Sequence, residues 1–385
     1  MRISIQVVCV SLNLAIAILT SDSAQSAYTF TSIADNTGPF SSFGDPLVNG
    51  SNAVTFFARL DTGGTGIFAG SGSSITTIAD RSGAFSGFSW RPSVNPAGTV
   101  AFHADHNVRN GVWGATGLYT STGGLISAIA NDSGQFASFG NPSINAAGTV
   151  AFQAICDAGG EGIFATTGGS TTVVADSSGM FHWFFGDLSI NSGGMVAFAA
   201  VLDAGHFGLF AGSGGAITSI ADTLGPFSAL GAPAINDDGV VTFVAYFRAG
   251  GNGIFAGNGG AASIIADTSG PFSRVDHPSI NADGMIALLA EFDAGGSGIF
   301  TAYGSGVDAV IKSGDPLFGA KVAGLGFYRG LNDNGAIAFR YTLDNGVSGI
   351  ALARAIPEPT AIVLLSIATL GLLTRYARDC RVVRH

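Results

Sequence analysis

Residues 142–152 read Pro142-Ser143-Ile144-Asn145-Ala146-Ala147-Gly148-Thr149-Val150-Ala151-Phe152, two apolar runs joined by an Asn-to-Gly segment. Asparagine bonds back to a turn's backbone and glycine accepts positive φ without steric cost, so this stretch predicts a hairpin between two strands. Asp157-Ala158-Gly159-Gly160 offers the same turn chemistry further on. Gly162 to Thr166 and Ser170 to Ala175 follow as β-branched, apolar segments. The unit expected is therefore four strands, with Pro142 to Ile144 the first and Thr149 to Ala154 the second.

That unit recurs along the chain. Asn-x-x-Gly-x-(Val/Ile)-(Ala/Thr)-(Phe/Leu) starts at Asn95, Asn145, Asn191, Asn236, Asn281 and Asn332, and an imperfect copy at Asn49 has Asn52 in place of glycine. Ile-Ala-Asp or a variant ends at Asp35, Asp80, Asn131, Asp176, Asp222, Asp267 and, degenerate, Lys312, at intervals of 45, 51, 45, 46, 45 and 45 residues. Gly-(Ile/Leu)-aromatic begins at Gly66, Gly117, Gly162, Gly208, Gly253, Gly298 and, with Ala351 in the aromatic position, Gly349. Four strands in about 45 residues is the size of a β-propeller blade.

The ends favour a closed ring over an open array. Tyr28 to Asp35 is a fourth strand without its first three, while Gly330 to Asn332, Ala336 to Tyr341 and Gly349 to Ala353 are three strands without a fourth. Joined, they complete one blade and leave no unpaired edge. The fold class is thus all-β, a seven-bladed propeller over residues 28–354. An open solenoid would instead need polar capping repeats.

Composition agrees with a packed β structure. Glycine numbers 58 and hydrophobic residues reach 47%, whereas charged residues are 11%, well below the usual ~25%. The 29 phenylalanines recur at Phe102, Phe152, Phe198, Phe243 and Phe339 on second strands and at Phe68, Phe164, Phe210, Phe255 and Phe300 on third strands. They are expected to form inter-blade core, with the preceding alanine allowing close approach. Of three cysteines, Cys9 and Cys380 lie outside the repeats, so Cys156 is expected to be a small buried hydrophobe without a disulfide partner. A net charge of −10 excludes a phosphate-binding surface for nucleic acid.

Residues 1–27 have the charged start, apolar run and small-residue exit of a signal peptide. At the other end, residues 355–385 contain Pro357-Glu358-Pro359, an apolar segment at about 360–374, and Arg375, Arg378, Arg381 and Arg384. Such a segment predicts a single transmembrane helix with its basic tail in the cytoplasm. This three-part tail resembles the PEP-CTERM sorting signal of Gram-negative bacteria. The Asn-x-x-Gly-x-x-Ala-Phe repeats resemble the NxxGxxAF tandem-repeat family of exported bacterial proteins. The first resemblance implies processing by an exosortase-type membrane protease, and localisation at the cell envelope or outside the cell. The second implies no particular enzymatic activity.

No P-loop, nucleophile elbow or His-Glu-x-x-His segment occurs. His103, Asp105 and His106 are metal-capable types, but alternation along a strand need not bring them together. Trp113 and the run Phe181-His182-Trp183-Phe184 are candidate exposed aromatic patches. Asp35, Asp80, Asp176, Asp222 and Asp267 open the fourth-to-first connections, and Asp61, Asp105, Asp157, Asp203, Asp293 and Asp344 lie in the second-to-third connections. Propeller topology gathers both sets on one rim. They are ordinary turn formers there, or a surface for calcium or a cationic partner.

The function expected is that of an exported, non-enzymatic binding or matrix component associated with exopolysaccharide or another surface protein. The alternative is an envelope hydrolase or lyase using rim aspartates and a divalent metal. The closure itself is testable. Deleting residues 28–35 is expected to lower the melting temperature far beyond the effect of trimming a frayed terminus, and to promote association through the exposed edge. An unchanged melting temperature and a monomeric state would contradict it.

Overall fold

The computed structural model describes residues 28–106, 116–304 and 306–356. Residues 1–27 and 357–385, on which the expected signal peptide and the expected sorting residues Pro357, Glu358, Pro359, Arg375 and Arg378 fall, lie outside the described residues, as does Trp113. Seven antiparallel sheets stand side by side, one per repeat. Blades 1 to 6 occupy residues 40–80, 85–131, 136–176, 181–222, 227–267 and 272–312. Blade 7 combines residues 316–355 with Tyr28–Asp35, which pairs antiparallel with Ser348–Ala355, Tyr28 opposite Ala355 and Asp35 opposite Gly349. The amino-terminal strand therefore supplies the outer edge of the last blade.

The repeated asparagine explains how neighbouring blades are locked. Each of Asn49, Asn95, Asn145, Asn191, Asn236, Asn281 and Asn332 is buried. Each side-chain oxygen accepts the backbone N–H four residues on, for example Thr149 to Asn145 at 2.9 Å and Ala336 to Asn332 at 2.9 Å. The amide nitrogen then points sideways. Asn95 donates to the carbonyl of Asn145, Asn145 to that of Asn191, and Asn191 to that of Asn236, at 3.2, 2.9 and 3.0 Å. Asn281 donates to Asn332, and Asn332 crosses the join between chain ends to Asn49 at 2.7 Å. Gly50 N–H donates to the Pro96 carbonyl and ties blade 1 to blade 2. Gly148 has φ +82°, which fits a turn that only glycine enters without strain.

Packing between blades uses the predicted phenylalanines. Phe102, Phe152, Phe243 and Phe339 are fully buried, and the alanines Ala101, Ala151, Ala197 and Ala338 show no exposed surface. Ala151, Ile163 and Val174 of blade 3 share one cluster with Phe181, Phe198 and Phe210 of blade 4. Gly208 is required by close approach, because a Cβ there would lie 2.7 Å from the Phe210 ring.

Two expectations need correction. The first strand of a blade does not begin at Pro142. It is split into Phe136–Phe139 and Ser143–Ile144, with Gly140, Asn141 and Pro142 between them. Phe136 packs 4.8 Å from Phe164 and belongs to the core, a contribution masked in sequence by the break after it. In blade 7 the first strand is Ala320–Gly326, and Leu331 makes only a single bridge to Ile337. A short pairing of Pro316–Leu317 with Ala320 and Lys321 adds a turn absent from the other blades.

Asn145→Ala removes both bonds of one link. The Asn191 carbonyl keeps the Gly194 N–H, so a loss of about 1–3 kcal/mol is expected, mainly from the orphaned Thr149 N–H. Urea unfolding measures it, and a change under about 0.5 kcal/mol would show that the ring is decorative.

Candidate functional site

An interruption in each first strand, a break in blades 1, 2, 3, 5 and 7 and a register shift within the continuous strands Phe181–Ile190 and Phe272–Ile280, turns the chain toward the axis. The residue four before each ring asparagine lies at that interruption: Asp45, Arg91, Asn141, Asp187, Ala232, His277 and Tyr328. Proline follows in blades 1, 2, 3, 5 and 6, at Pro46, Pro92, Pro142, Pro233 and Pro278, and cannot continue the ladder. From Phe85 to Asn95, Phe181 to Asn191 and Val322 to Asn332 the chain is one residue longer than from Phe40 to Asn49 or Phe136 to Asn145. Those longer segments carry Arg91, Asp187, Tyr328 and Arg329.

These side chains meet in the centre. Asp187 is buried and takes hydrogen bonds from Arg91 Nη1, from the Tyr328 hydroxyl and, at 2.8 Å, from Asn141 Nδ2. Arg91 lies 4.4 Å above the Tyr328 ring, and Arg329 is 5.4 Å from it. Arg329 donates to the carbonyls of Leu188 and Pro233, so one side chain reaches blades 4 and 5. His277 packs edge-on against Tyr328 at 5.3 Å. Both His277 and Arg329 have positive φ, a costly backbone state for such residues. The layer spans the channel. On the asparagine-ring side it floors a cavity of about 210 Å³ lined by Asp45, Arg91, Asn141, Asp187, Tyr328 and Asn332 among others.

The charges are fixed by this packing. Burial alone would raise the Asp187 pKa, but Arg329, the Tyr328 and Asn141 hydrogen bonds and Arg91 together hold it below the usual carboxylate value. Burial drives the Tyr328 phenol well upward, outweighing the opposing arginines, so the hydroxyl stays protonated. Burial also lowers the His277 pKa despite nearby Asp276 and Asp45, which favours neutral imidazole at pH 7. The result is a pre-organised polar layer in which Arg91 is exposed, its side chain 43% accessible.

The rim aspartates are placed as follows. Asp35, Asp80, Asp176, Asp222 and Asp267 each accept the backbone N–H two residues on, at 2.8–3.0 Å, as turn formers do. The backbones of Asp61, Asp157, Asp203, Asp293 and Asp344 donate to Pro39, Gln135, Met180, Pro271 and Lys321, which brings both turn families to one end. Asp105 lies within the strand Val100–His106. Among the described residues, no three His, Cys, Asp or Glu side chains form a metal-holding group.

His103 bonds Thr116 Oγ1 at 2.5 Å and His106 bonds the Tyr119 hydroxyl, so the two histidines have separate partners. Within the aromatic run only His182 and Trp183 are exposed; Phe181 and Phe184 are core. Cys156 is half-buried rather than buried because it ends its strand, and burial with Asp176 and Asp157 pushes its thiol pKa up. Sequence reasoning missed Arg91, Asp187, Tyr328 and Arg329. Repeat alignment held the signal, since these positions vary in chemistry and length where the scaffold does not.

The chain matches a family of unknown function, DUF7453, over residues 63–215 and again over 124–259, and it belongs to that family. The overlap of two placements is natural for a repeated unit. No curated protein matches the chain in sequence. Among solved structures, it is similar to an oligogalacturonate lyase from Vibrio parahaemolyticus at a TM-score of 0.51 and 12% identity, covering 87% of this chain and 99% of that one. It is also similar to a prolyl endopeptidase at a TM-score of 0.51 and 11% identity, over 86% of this chain and 47% of that one. Likeness at such identity speaks for the propeller fold alone.

Asp187→Asn removes the charged acceptor of the Arg91 and Tyr328 hydrogen bonds, and a loss of about 1–3 kcal/mol is expected because Arg91 stays half-solvated. A depressed carboxylate pKa stabilises the fold above the unfolded value of ~3.9, and this is lost as pH falls through the lower folded value. Urea midpoints measured from pH 7 to pH 2 should therefore fall less steeply below pH 4 in the variant. Parallel curves would contradict the assignment.

Proposed function

We propose that this protein is an exported, surface-sorted propeller that binds a ligand at its channel without turning it over. The observation carrying this reading is the division of labour among repeats. The same scaffold residues recur blade after blade, while the channel positions carry six residue types in seven blades and build one polar layer with exposed guanidinium. The layer's acid, phenol and amide are satisfied by one another, an arrangement suited to holding a ligand rather than exchanging protons with it. The leader-like start and the PEP-CTERM-like tail support export, processing by an exosortase-type protease, and display at the envelope. Exopolysaccharide or a neighbouring surface protein is the partner class that fits such a location. The repeats' resemblance to NxxGxxAF proteins agrees with this reading.

The competing reading is an envelope hydrolase or lyase working through rim aspartates and a divalent metal. One experiment separates the two. The full chain is incubated with surface polysaccharides, with and without calcium, and both retention and product formation are followed. Retention without product is expected. Turnover that Asp157→Asn or Asp176→Asn abolishes would overturn the binding reading.

A further inference from the structure

On the rim side of the polar layer, a second cavity of about 390 Å³ is lined by Phe43, Ser89, Trp90, Arg91, Asn141 and Arg340, with Gly44 and Asp45. That volume falls in the ~300–1,000 Å³ range of small-molecule sites. Two features of it do not serve the scaffold.

The first is Trp90. In blades 1, 3 and 5 the glycine before the break residue, Gly44, Gly140 or Gly231, donates its N–H to the second strand; in blade 2 Ser89 makes that bond to His103, so Trp90 is the extra residue of the longer segment. The indole is 59% exposed and stacks on Phe57 with ring centroids 5.1 Å apart and planes 19° from parallel. One face is thus held by the protein, and the ring presents a rigid apolar platform at the cavity. A large exposed aromatic on a residue inserted into the repeat contributes little to the fold.

The second is a pair of guanidinium groups. Arg91 and Arg340 both line the cavity, and both side chains are 43% accessible. Arg91 uses Nη1 on Asp187, and Arg340 uses Nε on Asp45 at 2.7 Å. A guanidinium has five donors, so each retains an edge after that contact. The aspartates orient the two groups, while Ser89 donates to Asn141 Oδ1 and fixes the amide between them. Each arginine is paired with an aspartate, so what the cleft offers a ligand is two oriented guanidinium edges rather than a net positive charge.

We infer that this cleft binds a carboxylated sugar unit, the uronate of an acidic polysaccharide, with the sugar ring on Trp90 and the carboxylate between Arg91 and Arg340. A planar carboxylate matches the guanidinium fork, and a pyranose face matches the indole. The inference rests on the binding reading above and names its ligand class.

Calorimetry of the full chain at constant ionic strength tests it, with trigalacturonate, its fully methyl-esterified form, and glucose 6-phosphate as probes. The acid trimer is expected to bind. Binding should weaken tenfold or more for the ester and for the sugar phosphate, and likewise for Trp90→Ala and Arg340→Gln. Trp90 is exposed and Arg340 half-buried, and thermal melts within a few degrees of the parent establish that each variant is folded. Absence of trimer binding, equal binding of the ester or the phosphate, or trimer binding unchanged in both variants would overturn the ligand class. Ester binding at least equal to the acid's but lost in Trp90→Ala would overturn the ligand class and leave the binding module standing. Consumption of the acid trimer, lost in the same variants, would support the ligand class and overturn the non-enzymatic reading.

Discussion

The structure depends on one side chain doing two jobs. In each blade the ring asparagine closes its own turn with its oxygen, and in most blades its nitrogen reaches the carbonyl of the next blade's asparagine. Glutamine is a methylene too long for the four-residue turn, and aspartate has no donor for the sideways link. The motif therefore encodes both the hairpin and the spacing of neighbouring blades. Buried amides with both ends satisfied are worth more in a low-dielectric interior than at a surface, and an unmade bond there is expensive. Closure is made twice, once by Asn332 to Asn49 near the axis and once by Tyr28–Asp35 at the outer edge.

A ring held in this way frees the positions just upstream. The first strand breaks or loses register four residues before the asparagine, and the residue there is free of the ladder. Repetition cannot build a site with several chemistries, because it would place seven copies of one residue around the axis. The chain escapes this with different break residues and with longer segments in blades 2, 4 and 7. Asp187, Arg91 and Tyr328 come from three separate blades yet meet in one hydrogen-bonded layer. That layer depends on the ring's geometry, since a small change in blade spacing would pull its members apart.

Much of the architecture was legible in sequence because it follows from local chemistry. Asn145 and Gly148 specify a turn, the spacing of the anchors specifies a blade, and the partial units at the two ends specify closure. Phe152 and Phe164 announce the core by recurrence. The first half of the inner strand was hidden because Gly140 and Pro142 interrupt the ladder, so Phe136–Phe139 resembled a loop. The channel site was hidden for the opposite reason. Recurrence drew attention to the aspartates, whose recurrence reflects turn chemistry, whereas Arg91 and Asp187 are not repeated and are 96 residues apart. Their meeting is a consequence of ring closure that no local pattern expresses. The extra residue in three of the blades was the readable trace of it.

Native-state hydrogen exchange of the turn amides tests the locked ring most directly. Ala53, Thr99, Thr149, Met195, Val240, Met285 and Ala336 all donate to the ring asparagines. In a ring closed by these bonds no blade opens ahead of the rest, so all seven amides are expected to exchange with one common free energy, that of global unfolding. Protection graded from the middle blades down to blades 1 and 7, as a linear array of repeats would show, would contradict it.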